Sequence, residues 1–209
     1  MGKGTTPARY FENPRTEMLA RVPADSRRIL EVGCGAGAFA ALLKQQDSRR
    51  FVVGVEPEAG ILNQAAGSID VPLAGLLGDV DLGPVPFDLV IMNDVLEHMV
   101  DPWAALATAH ASLRPGGSLL ISVPTVRSLA VLRPLVVSGS FAYQDQGMMD
   151  RTHLRWFTRR SIEAAVQAAG FVAIESAPVS RVKGRVAKAL SLLCDELGVR
   201  QYGVNAKKA

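Results

Sequence analysis

Residues 27–37, RRILEVGCGAG, place three alternating glycines directly after a short apolar run. An apolar run that ends in such a turn, before an amphipathic stretch, predicts a strand, a tight turn and the start of a helix. Gly33, Gly35 and Gly37 have no Cβ and can adopt positive φ, so a ligand can approach this backbone closely. The pattern therefore predicts a site for a nucleotide-like ligand.

Glu56 ends the next apolar run, about twenty residues further along the chain. A carboxylate at this place can accept hydrogen bonds from both hydroxyls of a ribose. Gly33, Gly35 and Ala38 also fit the G-x-G-x-x-A fingerprint of dinucleotide sites. The glycine turn and Glu56 together predict an adenosine ligand, without choosing between a nicotinamide cofactor and another adenosine compound.

Three further motifs follow in order: Gly78-Asp79-Val80, then NDVLEH at 93–98 after a fourth apolar run, then RPGG at 114–117. With the glycine turn and Glu56, this series resembles the class I methyltransferases that use S-adenosylmethionine. The resemblance covers nearly the whole chain. It implies an enzyme, an S-adenosylmethionine-dependent methyltransferase, and it favours that cofactor over the nicotinamide alternative.

Length and composition restrict the possible classes of protein. The chain has 209 residues and a net charge of +3, which predicts one domain, 1–209, with an N-terminal cap segment at 1–26. The basic residues are scattered, so we expect no nucleic-acid partner. No apolar run reaches the roughly 20 residues of a membrane span and no signal-peptide core is evident, so we expect a cytoplasmic protein without an integral membrane segment. The oligomeric state stays open.

Apolar runs alternate with helical patterns, which predicts an α/β fold with helices on both faces of a sheet. Strands are predicted near 28–33, 51–56, 73–77, 87–93, 117–123 and 171–178, and helices near 37–46, 58–67, 102–113 and 159–169. Helical spacing also marks 184–197, and residues 199–204 can form one more strand. The resemblance implies that this last strand is antiparallel, within a Rossmann-like, doubly wound, mostly parallel seven-stranded sheet.

The resemblance also assigns the cofactor site. The residues that it implies are Tyr10, Glu31, Gly33, Cys34, Gly35, Gly37, Glu56, Pro57, Asp79, Val80 and Asn93. Glu31 would lie near the ammonium group of the methionine portion, and Asp79 would accept the adenine amine. Ordinary alternatives are a strand-end carboxylate for Glu31 and a plain turn residue for Asp79. Enzymes that methylate base amino groups carry Asn/Asp-Pro-Pro-aromatic at the position of Asn93, so base methylation is disfavoured.

Residues 150–158, DRTHLRWFT, gather charged, aromatic and imidazole groups in the stretch 125–157, which has no clear period and is predicted to be an acceptor-side lid or loop. This segment, with YFENPR at 10–15 and FAY at 141–143, resembles a subgroup of small bacterial methyltransferases associated with glycosyltransferases and cell-surface polysaccharide synthesis. The resemblance implies a sugar, a glycan precursor or another small molecule as the acceptor. Alternatives are a quinol or phenolic hydroxyl, and a non-catalytic cofactor-binding partner of a glycosyltransferase.

A sugar hydroxyl is a weak nucleophile, so a general base would accelerate methyl transfer, typically by about a hundredfold or more. His153 is the first candidate for this base, with Asp150 to orient it or to accept a substrate hydroxyl. His98 is a second candidate for the base, or for lining the pocket. The ordinary alternative is a surface loop with a helix cap. His98, His110 and His153 lack metal-ligand spacing, so we expect no metal.

Overall fold

The computed structural model of the protein describes residues 14–184 and 194–209. Its strands are β1 (Arg28–Val32), β2 (Phe51–Glu56), β3 (Val71–Ala74), β4 (Phe87–Asn93), β5 (Leu113–Pro124), β6 (Phe171–Arg181) and β7 (Val199–Lys208). Within the described residues they form one seven-stranded sheet in the order β3-β2-β1-β4-β5-β7-β6. β1 to β5 pair in parallel, whereas β7 is antiparallel to both β5 and β6. This arrangement confirms the predicted fold class.

Helices cover both faces of the sheet. They are α1 (Thr16–Leu19), α2 (Ala38–Gln46), α3 (Ala59–Leu62), α4 (Pro102–Ser112), α5 (Leu129–Ser138) and α6 (Arg159–Ala168). Successive residues of β1 point to opposite faces, so Leu30 packs into a core with Leu106 and Ile162, while Ile29 packs into a second core with Leu43. Burial on both faces explains why the strands are continuous apolar runs in the sequence.

Two predicted helix starts are confirmed with their caps. The Asp101 side chain accepts hydrogen bonds from the N–H groups of Trp103 and Ala104 at the start of α4, and Pro102 occupies the first helical position. Thr158 caps α6 through a reciprocal pair of hydrogen bonds with Ser161. These caps fix the starts of the two helices, of which α6 directly follows the predicted acceptor segment.

Several predicted elements differ from the structure. β3 ends at Ala74, earlier than predicted, because Gly75 adopts a φ of 147° and turns the chain. The predicted helix 58–67 is the short α3 followed by a 3-10 turn at Asn63–Ala65. The helical pattern at 184–197 falls largely outside the described residues, and its last part, Asp195–Gly198, is a 3-10 turn.

The predicted lid or loop at 125–157 contains the helix α5, which begins after the capping residue Ser128 and includes Pro134. Val131 is its buried residue, whereas Val136 and Val137 are each 78% exposed. Because α5 buries so little of one face, its sequence has no clear helical alternation of apolar and polar residues. Among the described helices, none is both long and apolar enough to cross a bilayer.

Gly54 on β2 offers a test of the packing between the glycine turn and the sheet. A Cβ at Gly54 would lie 2.5 Å from Ile69 Cδ1 and 2.8 Å from Cys34 Sγ. We expect Gly54→Ala to lower the free energy of unfolding by about 1 to 3 kcal/mol, because the added methyl overpacks this core. Urea denaturation measures the change.

The matched control is Gly60→Ala in α3, where nothing lies within 4 Å of the added Cβ. This variant should be neutral or stabilising by up to about 1 kcal/mol, because it restricts only the unfolded chain. Equal effects at Gly54 and Gly60 would contradict the packing argument.

Candidate functional site

The glycine turn lies at the carboxyl end of β1, the edge where ligands bind in such sheets. Gly33, Gly35 and Gly37 have φ values of 68°, 52° and 77°, a region that glycine occupies without strain. A Cβ on Gly33 would lie 2.6 Å from Val95 Cγ2. The missing side chain therefore lets the loop after β4 pack directly on the turn.

Glu56, at the end of β2, is 5% exposed and faces this turn. Its Oε2 accepts a hydrogen bond from the Gly35 N–H at 3.0 Å, and its Oε1 accepts one from the Glu58 N–H at 3.1 Å. Burial raises the pKa of this carboxyl, and the two N–H donors oppose the increase. The carboxylate is therefore held at the turn by main-chain donors, with further lone pairs for ligand hydroxyls.

Glu31, near the end of β1, is 4% exposed. Its Oε2 is buried, and no described residue forms a hydrogen bond with it. Burial raises the pKa of Glu31 to about 8, although a hydrogen bond from the Ala40 N–H in the first turn of α2 acts in the opposite direction. A cationic ligand group at this oxygen would satisfy it and favour the ionised carboxylate.

Asn93, the last residue of β4, has a buried side-chain amide. Neither its Oδ1 nor its Nδ2 has a hydrogen-bond partner within the described part of the chain. Buried polar groups are nearly always paired, and those that are not call for an explanation such as a ligand. Glu31 and Asn93 end adjacent strands, so both groups lie at the same edge of the sheet as the glycine turn.

The other predicted cofactor residues differ in their burial and in their distance from the glycine turn along the chain. Cys34 is buried in the core with Phe39 and Val52, so only its main chain belongs to the turn, and burial raises the pKa of its thiol. Pro57 and Asp79 are exposed, Asp79 in the turn that follows β3. Val80 is half-buried, and a Cβ on Gly75 would lie 2.9 Å from its Cγ1. Tyr10 lies outside the described residues.

A second group of polar side chains lies beside the loop after β4. The main-chain carbonyl of Glu97 accepts hydrogen bonds from the N–H groups of Leu154 and Arg155, at 2.7 and 3.0 Å. This attachment brings His153 next to His98, with the ring centroids 4.7 Å apart. Glu97 is 1% exposed, and its Oε2 has no hydrogen-bond partner among the residues described. Glu97 was not predicted as a site residue, although it directly precedes His98, which was.

Both imidazoles are oriented by main-chain carbonyls. His153 Nδ1 lies 3.1 Å from the Met148 carbonyl oxygen, and His98 Nδ1 lies 3.2 Å from that of Thr152. A carbonyl oxygen only accepts hydrogen bonds, so in each neutral ring Nδ1 carries the hydrogen and Nε2 carries the lone pair. Burial lowers the pKa of both histidines and favours these neutral forms.

Asp150 forms hydrogen bonds with Thr152, and the described contacts include none between Asp150 and the His153 ring nitrogens. Its Oδ1 accepts hydrogen bonds from the Thr152 N–H and Oγ1–H, at 2.8 and 2.7 Å, and Thr152 Oγ1 lies 3.0 Å from His98 Nδ1. Asp150 therefore orients His98 through Thr152, while His153 Nδ1 is held by Met148 instead. The sequence did not indicate Thr152, because its place in this relay depends on the turn at 150–153.

Aromatic rings continue from the histidine pair toward solvent. Trp156 lies 5.7 Å from the His153 ring and 5.5 Å from Phe141, and Phe141 lies 5.8 Å from Tyr143, measured between centroids. Phe141 and Tyr143 are 37% and 52% exposed. Partly exposed aromatic side chains beside convergent polar groups are typical of a small-molecule site.

The distance between the histidines in the sequence argued against a metal, and the structure removes that argument. Glu97, His98 and His153 each offer a ligand atom, and these atoms lie within 4.8 Å of one another. Spacing along the chain does not bear on this cluster, because the two histidines come from segments that meet only in the folded protein.

Comparisons with known proteins agree on one type of protein, the methyltransferases. The model of a methyltransferase domain family matches residues 7–176. The ubiquinone biosynthesis O-methyltransferase of Xylella fastidiosa is 29% identical over 126 residues, which cover 58% of this chain and 51% of that protein. The trans-aconitate 2-methyltransferase of an Azoarcus species is 35% identical over 122 residues, or 54% and 47% of the two chains. The chain thus spans about half the length of these curated relatives.

Solved structures share the fold. A methyltransferase from Thermotoga maritima, described as a possible histamine N-methyltransferase, has a TM-score of 0.68 at 18% identity, covering 97% of this chain and 91% of that one. Phosphoethanolamine N-methyltransferase 2 of Haemonchus contortus, in complex with S-adenosylmethionine, has a TM-score of 0.64 at 16% identity, covering 91% and 51%. The family match and these neighbours support S-adenosylmethionine as the cofactor.

Glu31 gives a test that needs no acceptor. Its folded-state pKa of about 8 exceeds the ordinary value, so the folded chain keeps a proton that the unfolded chain loses near pH 4.5. The contribution of Glu31 to the stability of the ligand-free protein should therefore be greatest below about pH 4.5 and fall as the pH rises to about 8. We expect Glu31→Gln to lessen this fall by about 1 kcal/mol per pH unit, measured by urea denaturation across that range.

Glu175→Gln changes an exposed carboxyl on β6 and controls for the loss of one negative charge. The buried carboxyl of Glu97 retains part of the slope in both variants. An identical pH dependence in wild type and Glu31→Gln would contradict the assignment of Glu31 as a buried, protonated carboxyl.

Proposed function

The chain belongs to the methyltransferase domain family, and on this premise we propose that it transfers a methyl group from S-adenosylmethionine to a hydroxyl oxygen of a small molecule. The observation that carries the proposal is the pair of imidazoles at the loop after β4, which packs on the glycine turn, each with its Nδ1 against a main-chain carbonyl. Two oriented bases at this edge suit an acceptor that must lose a proton as it is methylated.

The residues at the strand ends fit the cofactor. S-adenosylmethionine supplies a methyl group already activated by the positive sulfonium, so the protein's contribution is to position it. In our proposal Glu31 pairs with the ammonium group, Asn93 binds the polar end of the methionine portion, and Glu56 accepts the ribose hydroxyls. The buried oxygen of Glu31 and the buried amide of Asn93, both without partners among the described residues, support this placement.

The acceptor hydroxyl would lie against the histidine pair. His153 Nε2 would take the hydroxyl proton as the oxygen attacks the methyl carbon. His98, oriented by Thr152 and Asp150, would stabilise the positive charge that develops on the His153 ring. Both rings are neutral in their buried state, as a proton acceptor must be. The hydrogen bonds from Leu154 and Arg155 to Glu97 keep this pair at the loop after β4, which packs on the glycine turn.

We propose a saccharide or glycan precursor as the acceptor. Trp156, Phe141 and Tyr143 form a partly exposed row of rings that leads to His153. Such rings can pack against the C–H face of a sugar while the imidazoles receive its hydroxyls. The resemblance of residues 150–158 to methyltransferases associated with glycosyltransferases supports the same class of acceptor.

A quinol or phenol is the second candidate acceptor. The Xylella relative is named for O-methylation in ubiquinone biosynthesis, and the aromatic row would also stack on a phenol ring. Parallel assays with nucleotide sugars and with dihydroxyphenols, each with labelled cofactor, distinguish the two acceptors by which product carries the label.

Cofactor binding is tested through Glu56. Glu56→Ala removes the acceptor for the ribose hydroxyls and a partner of the Gly35 N–H, so we expect the dissociation constant for S-adenosylmethionine to rise by about tenfold or more. Calorimetric titration with S-adenosylmethionine, S-adenosylhomocysteine and NADH measures the effect. Binding of NADH alone by the wild-type protein would overturn the choice of cofactor.

The acceptor side is tested through His153. We expect His153→Gln to lower kcat by about a hundredfold or more while affinity for S-adenosylmethionine is unchanged, because His153 contacts the acceptor and not the cofactor. His110→Gln is the matched control, since His110 packs edge-on against Phe171, away from the site. Full activity of His153→Gln would remove this residue from the mechanism. Cofactor binding without turnover of any acceptor would favour the non-catalytic alternative.

A further inference from the structure

The side chains of Glu97, His98 and His153 form a compact cluster of possible metal ligands, which proton transfer by one histidine does not require. Each offers one ligand atom within 4.8 Å of the others, and Glu97 is 1% exposed. The Glu97 Oε2 is buried without a hydrogen-bond partner in the described residues. The ionised form of a carboxyl buried beside two imidazoles gains from a further positive charge, such as a bound cation, that offsets its loss of hydration.

The hydrogen bonds of the two rings match those of metal-bound histidines. A histidine that binds a metal through one nitrogen almost always donates its other N–H to a carbonyl or carboxylate. Here His153 Nδ1 faces the Met148 carbonyl oxygen, and His98 Nδ1 faces both the carbonyl oxygen and Oγ1 of Thr152. Asp150 in turn accepts from Thr152, which completes a hydrogen-bonded outer shell.

We propose that Glu97, His98 and His153 form a binding site for one divalent transition-metal ion of the zinc type. Two nitrogen ligands and one oxygen ligand suit Zn²⁺ or Co²⁺ better than Mg²⁺ or Ca²⁺, which prefer oxygen ligands throughout. Three protein ligands also leave a coordination position for an acceptor oxygen, as in catalytic zinc sites.

The three ligand atoms must move closer together before they can bind one ion. Ligands about 2.0 to 2.1 Å from a tetrahedral ion lie about 3.4 Å from one another, so the three atoms must approach by up to about 1.4 Å. His98 lies in a short 3-10 turn and His153 in a loop, so side-chain rotation can close this gap without disturbing a regular element. Arg15, which approaches Glu97, forms an ion pair with Asp94, and Asp150 brings a second negative charge to the cluster.

The ion's role rests on the proposed function, whereas its binding rests on the side chains alone. An acceptor hydroxyl on the ion would lose its proton to water, the oxygen would form a bond to the methyl carbon, and the carbon–sulfur bond would break to leave a neutral thioether. The imidazoles would then serve as ligands, and ionisation on the cation would replace proton transfer to Nε2.

Metal binding can be measured without cofactor or acceptor. We titrate the untagged, metal-stripped full chain with Co²⁺, following the visible absorption of the bound ion, and then displace it with Zn²⁺. We expect one ion per chain, and a loss of affinity of at least about tenfold in Glu97→Gln and in His153→Gln. His110→Gln, which changes the third histidine of the chain, should bind as the wild type does, and Mg²⁺ should not compete.

The outcomes separate this proposal from the proposed function. Absence of stoichiometric Co²⁺ and Zn²⁺ binding, or equal losses in His110→Gln and His153→Gln, would overturn the metal site. Methyl transfer that is unaffected by a chelator, in protein that binds no ion, would leave the proposed function intact without the metal. Tight binding of Co²⁺ or Zn²⁺ that depends on Glu97 and His153, with no acceptor methylated, would establish the metal site and overturn the proposed methyl transfer.

Discussion

The main-chain carbonyl of Glu97 holds together the parts of the site that come from distant segments. Its two hydrogen bonds, from the N–H groups of Leu154 and Arg155, fasten the acceptor segment to the loop after β4. That loop in turn packs on the glycine turn, because Gly33 leaves room for Val95. Cofactor edge and histidine pair are therefore linked through main-chain bonds and one close apolar contact, and their spacing does not depend on flexible side chains.

The same region contains polar groups that destabilise the ligand-free chain. Glu31, Asn93 and Glu97 each bury side-chain atoms that find no hydrogen-bond partner among the described residues. Each such group costs free energy until something pairs with it. Burial raises the pKa of both glutamates to about 8, so the free protein avoids part of this cost by keeping them protonated. Groups that oppose stability in this way are common where a ligand completes the structure.

Much of the fold followed from the sequence because its signals are local. β1, β2 and β4 are buried on both faces and read as apolar runs, and Asp101 and Thr158 are caps with clear partners nearby. The end of β3 was predicted too late, since Gly75 ends the strand at Ala74, and the helix α5 was not predicted, since it buries only Val131. Helical period is visible only where a face is covered.

Less of the candidate site than of the fold could be predicted from the sequence. The glycine turn and Glu56 lie within one βαβ unit, so spacing alone placed them together. The relation of Glu97 and Thr152 to the histidines depends on contacts between segments more than fifty residues apart, such as His98 with Thr152. No spacing rule covers such pairs, and the expectation of no metal likewise rested only on the spacing of the histidines along the chain.

The position of β7 has a consequence for how the chain is made. This strand is the last of the described strands in sequence, yet it inserts between β5 and β6, and its Gln201 donates a hydrogen bond to Asp94 beside Asn93. During synthesis β5 must therefore wait with an open edge until residues 199–208 leave the ribosome. An open edge strand is a template for pairing with other chains, so the nascent protein is most prone to aggregation just before its sheet closes.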